Sequence, residues 1–139
     1  MNISKVHKLE QAVVLLLNFD GWELEWCGED NLPYDAKGKT PKGIECVIEM
    51  KFRKKYYETK MLEKDKYENL MSLDEDIVKI YFVSDPKANY YFWLNTITMP
   101  EQDKKYCPST TLWNSRKQTK EVYLLQESQA TIIDHNEPN

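Results

Sequence analysis

Near the start of the chain, apolar residues recur at spacings of three and four, which predicts an amphipathic helix over residues 3 to 18. The apolar stripe comprises Val6, Leu9, Val13, Leu16 and Leu17. Asn2 or Ser4 is suited to cap the start of this helix. Glu10 lies one turn after Val6, on the edge of the stripe. Taken alone, Glu10 is best interpreted as a solvated helix residue, and the alternative is a carboxylate directed toward the sheet.

Strict alternation over residues 44 to 53 predicts a long strand. One face would carry Ile44, Cys46, Ile48, Met50 and Phe52, and the other Glu45, Val47, Glu49, Lys51 and Arg53. The β-branched and aromatic residues of this run favour a pleated, half-buried surface. We therefore expect a strand with one face in the core and one face that carries charge.

Two short strands are expected before this long strand. Residues 22 to 27 (WELEWC) alternate after Gly21 and predict the first, and residues 32 to 36 predict a short second strand that contains Asp35. Residues 37 to 43 (KGKTPKG) are typical of a hairpin-like loop.

After the long strand, a second helix is expected from Thr59, its N-cap, to about Leu73. Lys66 lies on the same line of that helix as Leu62, Leu70 and Leu73. A lysine in such a stripe usually extends its ammonium to the surface. The alternative is that Lys66 reaches over the sheet toward Glu49.

The rest of the chain predicts mainly strands. Residues 77 to 83 and 90 to 95 are typical of an antiparallel hairpin, and residues 121 to 126 of a last strand. Residues 96 to 120 have an irregular, polar pattern, and residues 131 to 139 resemble a frayed tail. We therefore expect a single domain over residues 1 to 130.

Composition narrows the class of protein. With 139 residues, 41% of them hydrophobic, the chain is long enough to bury a core. The longest apolar run, Ala12 to Leu17, is far shorter than the roughly 20 residues that a membrane span needs. Three cysteines without a CxxC pair argue against a disulfide framework and a zinc site, and favour a reducing, cytoplasmic compartment.

The charge distribution is uneven. The formal net charge of -4 argues mildly against binding nucleic acid by bulk charge. However, residues 51 to 66 contain seven basic side chains against three acidic ones, and Arg116, Lys117 and Lys120 add a second basic segment. Positive charge is therefore gathered close to the charged face of the long strand.

The candidate chemistry lies on that face. Glu49 and Lys51 are two residues apart, so their side chains project together, and Asp35 ends the preceding extended run. Two carboxylates on neighbouring strands suit Mg²⁺, and a lysine beside them can orient or deprotonate an attacking water. The competing interpretation is a solvated Glu49–Lys51 ion pair worth at most about 1 kcal/mol, and the spacing alone favours it.

The order of these parts resembles the PD-(D/E)XK nuclease superfamily. Its motif is matched by Pro33 and Asp35 in PYD, then by Glu49 and Lys51 in EMK, with thirteen residues between the aspartate and the glutamate. Tyr34 separates Pro33 from Asp35, so the literal PD dipeptide is absent. The chain looks most like small phage-encoded, Holliday-junction-resolvase-like members through TKMLEKDKYENLM, YYFWLN and TKEVYLL, and the resemblance covers roughly residues 5 to 126.

The resemblance implies an α/β fold with a restriction-endonuclease-like αβββαβ core, whose mixed central sheet is flanked by helices. It also implies DNA cleavage dependent on Mg²⁺ or Mn²⁺, with Asp35, Glu49 and the Met50 carbonyl as metal ligands and Lys51 as the catalytic lysine. Glu10 would match the family's acid in the first helix. Lys66 or Lys60 would match the polar residue from the helix after the motif.

DNA is the partner that the resemblance implies, and a homodimer is left open. The residues expected to contact DNA are Arg53, Lys60, Lys66, Arg116, Lys117 and Lys120. Trp113, beside the last three, would stack on a base or, equally well, belong to a mobile polar loop.

Three functional classes stay open on the sequence. The first and favoured one is a metal-dependent endonuclease acting on branched or phage DNA. The second is an inactive relative that keeps the fold and binds nucleic acid or protein, against which the intact Asp35, Glu49 and Lys51 argue. The third is an unrelated module that binds a host protein, which the acidic net charge fits better than it fits a tight DNA binder.

Overall fold

The computed structural model describes residues 2–108 and 117–136. In this part of the chain the helices are α1 (Ile3–Phe19) and α2 (Lys64–Met71). The strands are β1 (Glu23–Trp26), β2 (Ala36–Lys39), β3 (Glu45–Phe52), β4 (Thr59–Glu63), β5 (Val78–Ser84), β6 (Ala88–Trp93), β7 (Gln102–Pro108), β8 (Lys117–Gln126) and β9 (Thr131–Asp134). A 3-10 turn, Glu127–Gln129, joins β8 to β9.

Two sheets organise the fold. The main sheet has the strand order β1-β2-β3-β5-β6-β9, and a smaller sheet has the order β4-β8-β7. Strands β3 and β5 pair in parallel, whereas every other neighbouring pair is antiparallel. The main sheet is therefore mixed, and β3 lies near its centre.

Each face of the main sheet is covered by a different layer. On one face, Ile48, Met50 and Phe82 pack with Val14 and Leu17 of α1. On the other, the core residues are Val47, Tyr81, Val83 and Phe92 with Leu62, Leu70, Tyr123 and Leu125 from β4, α2 and β8. The second face of β3 is thus covered and not solvated, because α2 and the smaller sheet pack over it.

Helix α1 matches its predicted bounds to one residue. Asn2 is the N-cap, and its side chain accepts a hydrogen bond of 2.8 Å from the Lys5 N–H. The buried face is carried by Glu10, Val14 and Leu17, whereas Leu16, which was expected in the apolar stripe, is 66% exposed. The helix is therefore rotated relative to the sequence prediction, and this rotation turns Glu10 inward.

The second helix is shorter than the sequence predicts. Residues 59 to 63 were expected in its first turns, but they form β4, which pairs with β8 from Thr59↔Gln126 to Glu63↔Val122. The side chains of β4 alternate, with Lys60 and Leu62 buried. The strand prevails over helical propensity because β8 supplies backbone hydrogen-bond partners and a surface for the inward side chains.

The second strand lies later in the chain than predicted. It was expected at residues 32 to 36, whereas β2 begins at Ala36 and continues through the segment expected to be a loop. Gly38 allows this position, because a Cβ there would lie only 1.8 Å from the Glu23 carbonyl oxygen of β1. Asp35 consequently stands at the entrance to β2.

Two further segments differ from the sequence prediction. The region 96 to 120, expected to be irregular, contains β7 and the start of β8, which pair with each other. The frayed tail expected from residue 131 begins instead with β9, which pairs with β6 and forms an edge of the main sheet. Within the described residues, no helix is long and apolar enough to cross a membrane.

Candidate active site

Asp35 is held against β3 by its backbone and its side chain. Its N–H donates to the Ile48 carbonyl at 2.8 Å, and its Oδ2 accepts a 2.8 Å hydrogen bond from the Met50 N–H. These two bonds bracket Glu49 in the sequence. The Asp35 carboxylate is therefore fixed beside β3, the strand that carries Glu49 and Lys51.

Glu49 is nearly buried, at 9% exposure, on the face of β3 that α2 covers. Burial, and then the negative charge of Asp35, raise the pKa of Glu49 to about 8. The charge of Lys66 acts in the opposite direction, because its Nζ lies 3.6 Å from Glu49 Oε1. The two carboxylates therefore interact directly, and one lysine partly balances them.

Lys51 projects from the same face of β3 as Glu49, two residues further along. Its side chain is half-buried. Burial lowers the pKa of the Lys51 ammonium, and the positive charges of Arg53 and Lys66 lower it further. This environment favours a neutral amine at Lys51 more than water does.

Glu10 reaches the same place from α1. It is 4% exposed, and its Oε1 accepts a 3.0 Å hydrogen bond from Trp26 Nε1. Burial raises the pKa of Glu10, and a side-chain hydrogen bond with Asp35 raises it further while lowering that of Asp35. This hydrogen bond therefore favours the protonated form of Glu10 and the ionised form of Asp35.

Gly28 leaves space for the hydrogen bond between Trp26 and Glu10. A Cβ at Gly28 would lie 2.6 Å from Glu10 Oε1 and 2.8 Å from the Trp26 ring. Sequence reasoning missed Trp26 and Gly28 as site residues. Alternation marked Trp26 only as a face residue of β1, and no local pattern connects its indole to a carboxylate sixteen positions earlier.

The three carboxyl groups of the site, those of Glu10, Asp35 and Glu49, lie close enough to affect one another's ionisation. The pKa values of Glu10, Asp35 and Glu49 are all raised, in each case by burial first, and for Glu10 and Glu49 the charge of Asp35 contributes. Lys66 offsets part of this charge. Across residues 2–108 and 117–136, however, no group of three or more His, Cys, Asp or Glu side chains is arranged to hold a metal ion.

Lys60, which was expected to contact DNA or to join the catalytic group, is buried and ion-paired in this fold. It is 3% exposed, and its Nζ lies 2.9 Å from Asp85 Oδ2 and 3.2 Å from Glu127 Oε1. The ammonium also lies over the rings of Tyr56 and Tyr90. Because it points from β4 into this buried cluster, Lys60 is a core residue.

Of the other predicted DNA contacts, the structure describes the side chains of Lys120 and Arg53. Lys120 is paired with Glu63 at 3.4 Å, with a side chain 15% exposed. Arg53 is half-buried just after β3, where its N–H donates to the Ser84 carbonyl. Trp113 and Arg116, and the side chain of Lys117, lie outside the described part of the chain.

Comparison with known proteins adds a structural match. No protein-family model and no curated protein sequence matches the chain. The fold is similar to the solved structure of Archaeoglobus fulgidus Hjc, a Holliday junction resolvase from an archaeal hyperthermophile, with a TM-score of 0.54 and 16% identity. The match covers 85% of this chain and 88% of Hjc. It confirms the predicted fold class, a restriction-endonuclease-like α/β fold with a mixed central sheet flanked by helices.

Proposed function

We propose that the protein is a divalent-metal-dependent nuclease that hydrolyses phosphodiester bonds in branched DNA. The observation that carries the proposal is the gathering of Asp35, Glu49 and Lys51, with Glu10 and Lys66 beside them, at one place in the fold. That fold resembles a Holliday junction resolvase, and this likeness supports branched DNA as the substrate class. An inactive relative would have no chemical reason to hold a lysine of lowered pKa next to this set of carboxylates.

The carboxylates suit a hard divalent cation. Burial, and after it the negative charge of Asp35, raise the pKa values of Glu10 and Glu49, and a bound cation would stabilise the ionised carboxylates. Asp35 and Glu49 would hold Mg²⁺ or Mn²⁺, with the Met50 carbonyl as the third oxygen. When bound, such an ion supplies Lewis-acid stabilisation of the charge that develops on the phosphate.

The chain's own residues provide the remaining functions. Lys51 accepts a proton at Nζ from the attacking water, which its lowered pKa favours. Lys66 lowers the pKa values of Glu49 and Asp35 against the effect of burial, and so favours their ionised, ligand-competent form. Glu10 is a positioning residue, because it contacts Asp35 and is itself held by Trp26.

The proposed partner is DNA, and the homodimer and the cytoplasmic location expected from the sequence stay predictions. Of the candidate contacts, Lys66 lies 3.6 Å from Glu49, and the positive charges of Arg53 and Lys66 both act on Lys51. Positive charge at these positions would offset the phosphate charge of a bound strand.

The proposal is tested by incubating the purified protein with supercoiled, linear and four-way-junction DNA, each in Mg²⁺, Mn²⁺ or EDTA. We expect metal-dependent cleavage that is strongest on the junction and is lost in Glu49→Gln. The matched control is Glu45→Gln, an exposed carboxylate on the same strand, which should cleave like the parent. Equal cleavage by parent and Glu49→Gln, or no cleavage of any DNA in either metal, would reject the proposal.

A further inference from the structure

A cavity of about 370 Å³ lies next to the proposed active site. Two of its lining residues, Tyr81 and Val83 on β5, are the parallel register partners of Glu49 and Lys51 on β3. Side chains of register partners in a sheet project to the same side, so the cavity opens on the face that carries the catalytic candidates. Arg53, which follows Lys51 on that face, also lines it.

The charge of the cavity is opposite to that of the chain. Its lining includes four basic residues, Arg53, Lys55, Lys60 and Lys105, and one acidic residue, Asp85, although the formal net charge of the protein is -4. Lys60 is paired with Asp85 at 2.9 Å and also with Glu127 at 3.2 Å, so it adds no net positive charge to the cavity. Lys105 is ion-paired with Asp103 at 3.9 Å, and Arg53 and Lys55 supply the remaining positive charge of the lining. The cavity therefore presents positive charge suited to a phosphate.

The rest of the lining is apolar and aromatic. Met61, Val83 and Leu124 provide carbon surface, and Tyr57, 55% exposed, stands at the rim. An aromatic ring beside basic groups is the combination that binds single-stranded nucleic acid, since the ring stacks on a base while the cations hold the backbone. The volume lies in the range of small-ligand pockets, enough for one nucleotide and far too small for a duplex.

We propose that this cavity binds one unpaired nucleotide of the DNA strand being cut, with its base against Tyr57 and the apolar surface and its phosphate at Arg53 and Lys55. The inference rests on the proposed function only in assigning the nucleotide to the cut strand. A base can enter such a cavity only outside the helical stack, and the cost of leaving the stack is least where pairing is already interrupted. Preference for branched DNA would then follow from binding before the chemical step.

The test measures binding in EDTA, so that it does not depend on cleavage. One fluorescein-labelled duplex is prepared in three forms: blunt, with a tail of three unpaired thymidines, and with the same tail lacking its bases. We expect the parent to bind the thymidine tail at least about fivefold more tightly than the other two forms, since one stacked base contributes about that much or more. Equal affinity for the three DNAs, or no binding of the tailed one, would overturn the proposal.

Variants locate the effect in the cavity. Thr59→Trp places a large side chain at an exposed lining position of β4 and should reduce the preference for the tail to less than twofold. Lys55→Gln should weaken binding of the tailed DNA and lower the salt dependence by about one counterion. Its matched control is Lys54→Gln, an exposed neighbour that does not line the cavity and should keep the parent's preference. An unchanged preference in Thr59→Trp, or equal effects of the two lysine substitutions, would contradict the assignment.

A competition arm separates a strand from a free nucleotide. Thymidine monophosphate should displace the tailed DNA only at concentrations far above the dissociation constant of the tailed DNA. If the monophosphate binds as tightly as the tail, the cavity is a free-nucleotide site and the proposal is wrong. A preference for the tailed DNA without any cleavage would reject the proposed nuclease function and support the nucleotide site. Cleavage without a preference for the tail would support the nuclease function and reject the nucleotide site.

Discussion

The ammonium of Lys66 on α2 lies 3.6 Å from Oε1 of Glu49 on β3. Glu49 is nearly buried and its pKa is raised to about 8, first by burial and then by Asp35, while Lys66 lowers it. Lys66 also lowers the pKa of Asp35. This one contact between a helix and the central strand therefore governs how much negative charge the proposed metal site carries near neutral pH.

Replacing Lys66 with methionine should raise the pKa of Glu49 above about 8, because the variant loses the cation that stabilises the carboxylate. The measurement is an NMR titration of the side-chain carboxyl carbons in the metal-free protein. Lys64→Met, on the same helix but paired with Glu68 and Glu121, should leave the titration of Glu49 unchanged. An identical Glu49 titration in Lys66→Met and parent would show that the contact has no electrostatic effect.

The raised pKa of Glu49 also predicts how stability depends on pH. Between the ordinary value of 4.5 and about 8, the folded protein binds the Glu49 proton and the unfolded chain does not. The stability that the Glu49 proton contributes is therefore fully present below pH 4.5 and is lost as pH rises from there through about 8. Relative to Glu49→Gln in EDTA, the parent should lose on the order of 4 kcal/mol between pH 5 and pH 9, since each of the roughly three pH units between pH 5 and the folded-state pKa corresponds to about 1.4 kcal/mol.

Urea unfolding of both proteins across this pH range gives the comparison, with Glu45→Gln as the control that should follow the parent. Added Mg²⁺ should reduce the parent's loss at high pH, because a cation bound to the folded state favours the ionised carboxylate. Parallel pH curves for parent and Glu49→Gln in EDTA would show that Glu49 ionises normally.

Lys60→Met should cost about 3 to 5 kcal/mol of folding free energy, because Asp85 and Glu127 would lose the cation that pairs with both. Lys87→Met is the matched control, since Lys87 is exposed and lies 3.8 Å from the centre of the Tyr56 ring, a contact worth about 1 kcal/mol or less. Urea denaturation measures both. A stability unchanged in Lys60→Met, with weaker DNA binding, would instead restore Lys60 as a DNA contact.

Sequence periodicity was sufficient where geometry follows from the backbone alone. Side chains two apart on a strand share a face in any sheet, so the common face of Glu49 and Lys51 could be predicted without knowledge of the fold. The same holds for α1, whose N-cap Asn2 acts within one turn. The order of helices and strands then identified the fold class, which the resemblance to Hjc confirms.

Periodicity failed where a distant partner decides the structure. The residues of β4 are good helix formers, but β8, more than fifty residues later, pairs with them as a strand. Lys60 is buried because Asp85 and Glu127 approach it from other parts of the chain. The Trp26 hydrogen bond to Glu10 likewise depends on how the turn at Gly21 brings β1 against α1 and on the space left at Gly28, which no local pattern contains.

The most direct test of the central claim is the single-turnover rate of four-way-junction cleavage in saturating Mg²⁺ for the parent, Lys51→Met and Lys37→Met. Lys37 lies exposed on β2 and serves as the control for loss of one positive charge. We predict that Lys51→Met lowers the rate by about 100-fold or more without weakening DNA binding, as expected for loss of a proton acceptor, and that Lys37→Met matches the parent. A rate for Lys51→Met within about threefold of the parent would contradict the role of Lys51, and a parent that leaves the junction intact would contradict the nuclease itself.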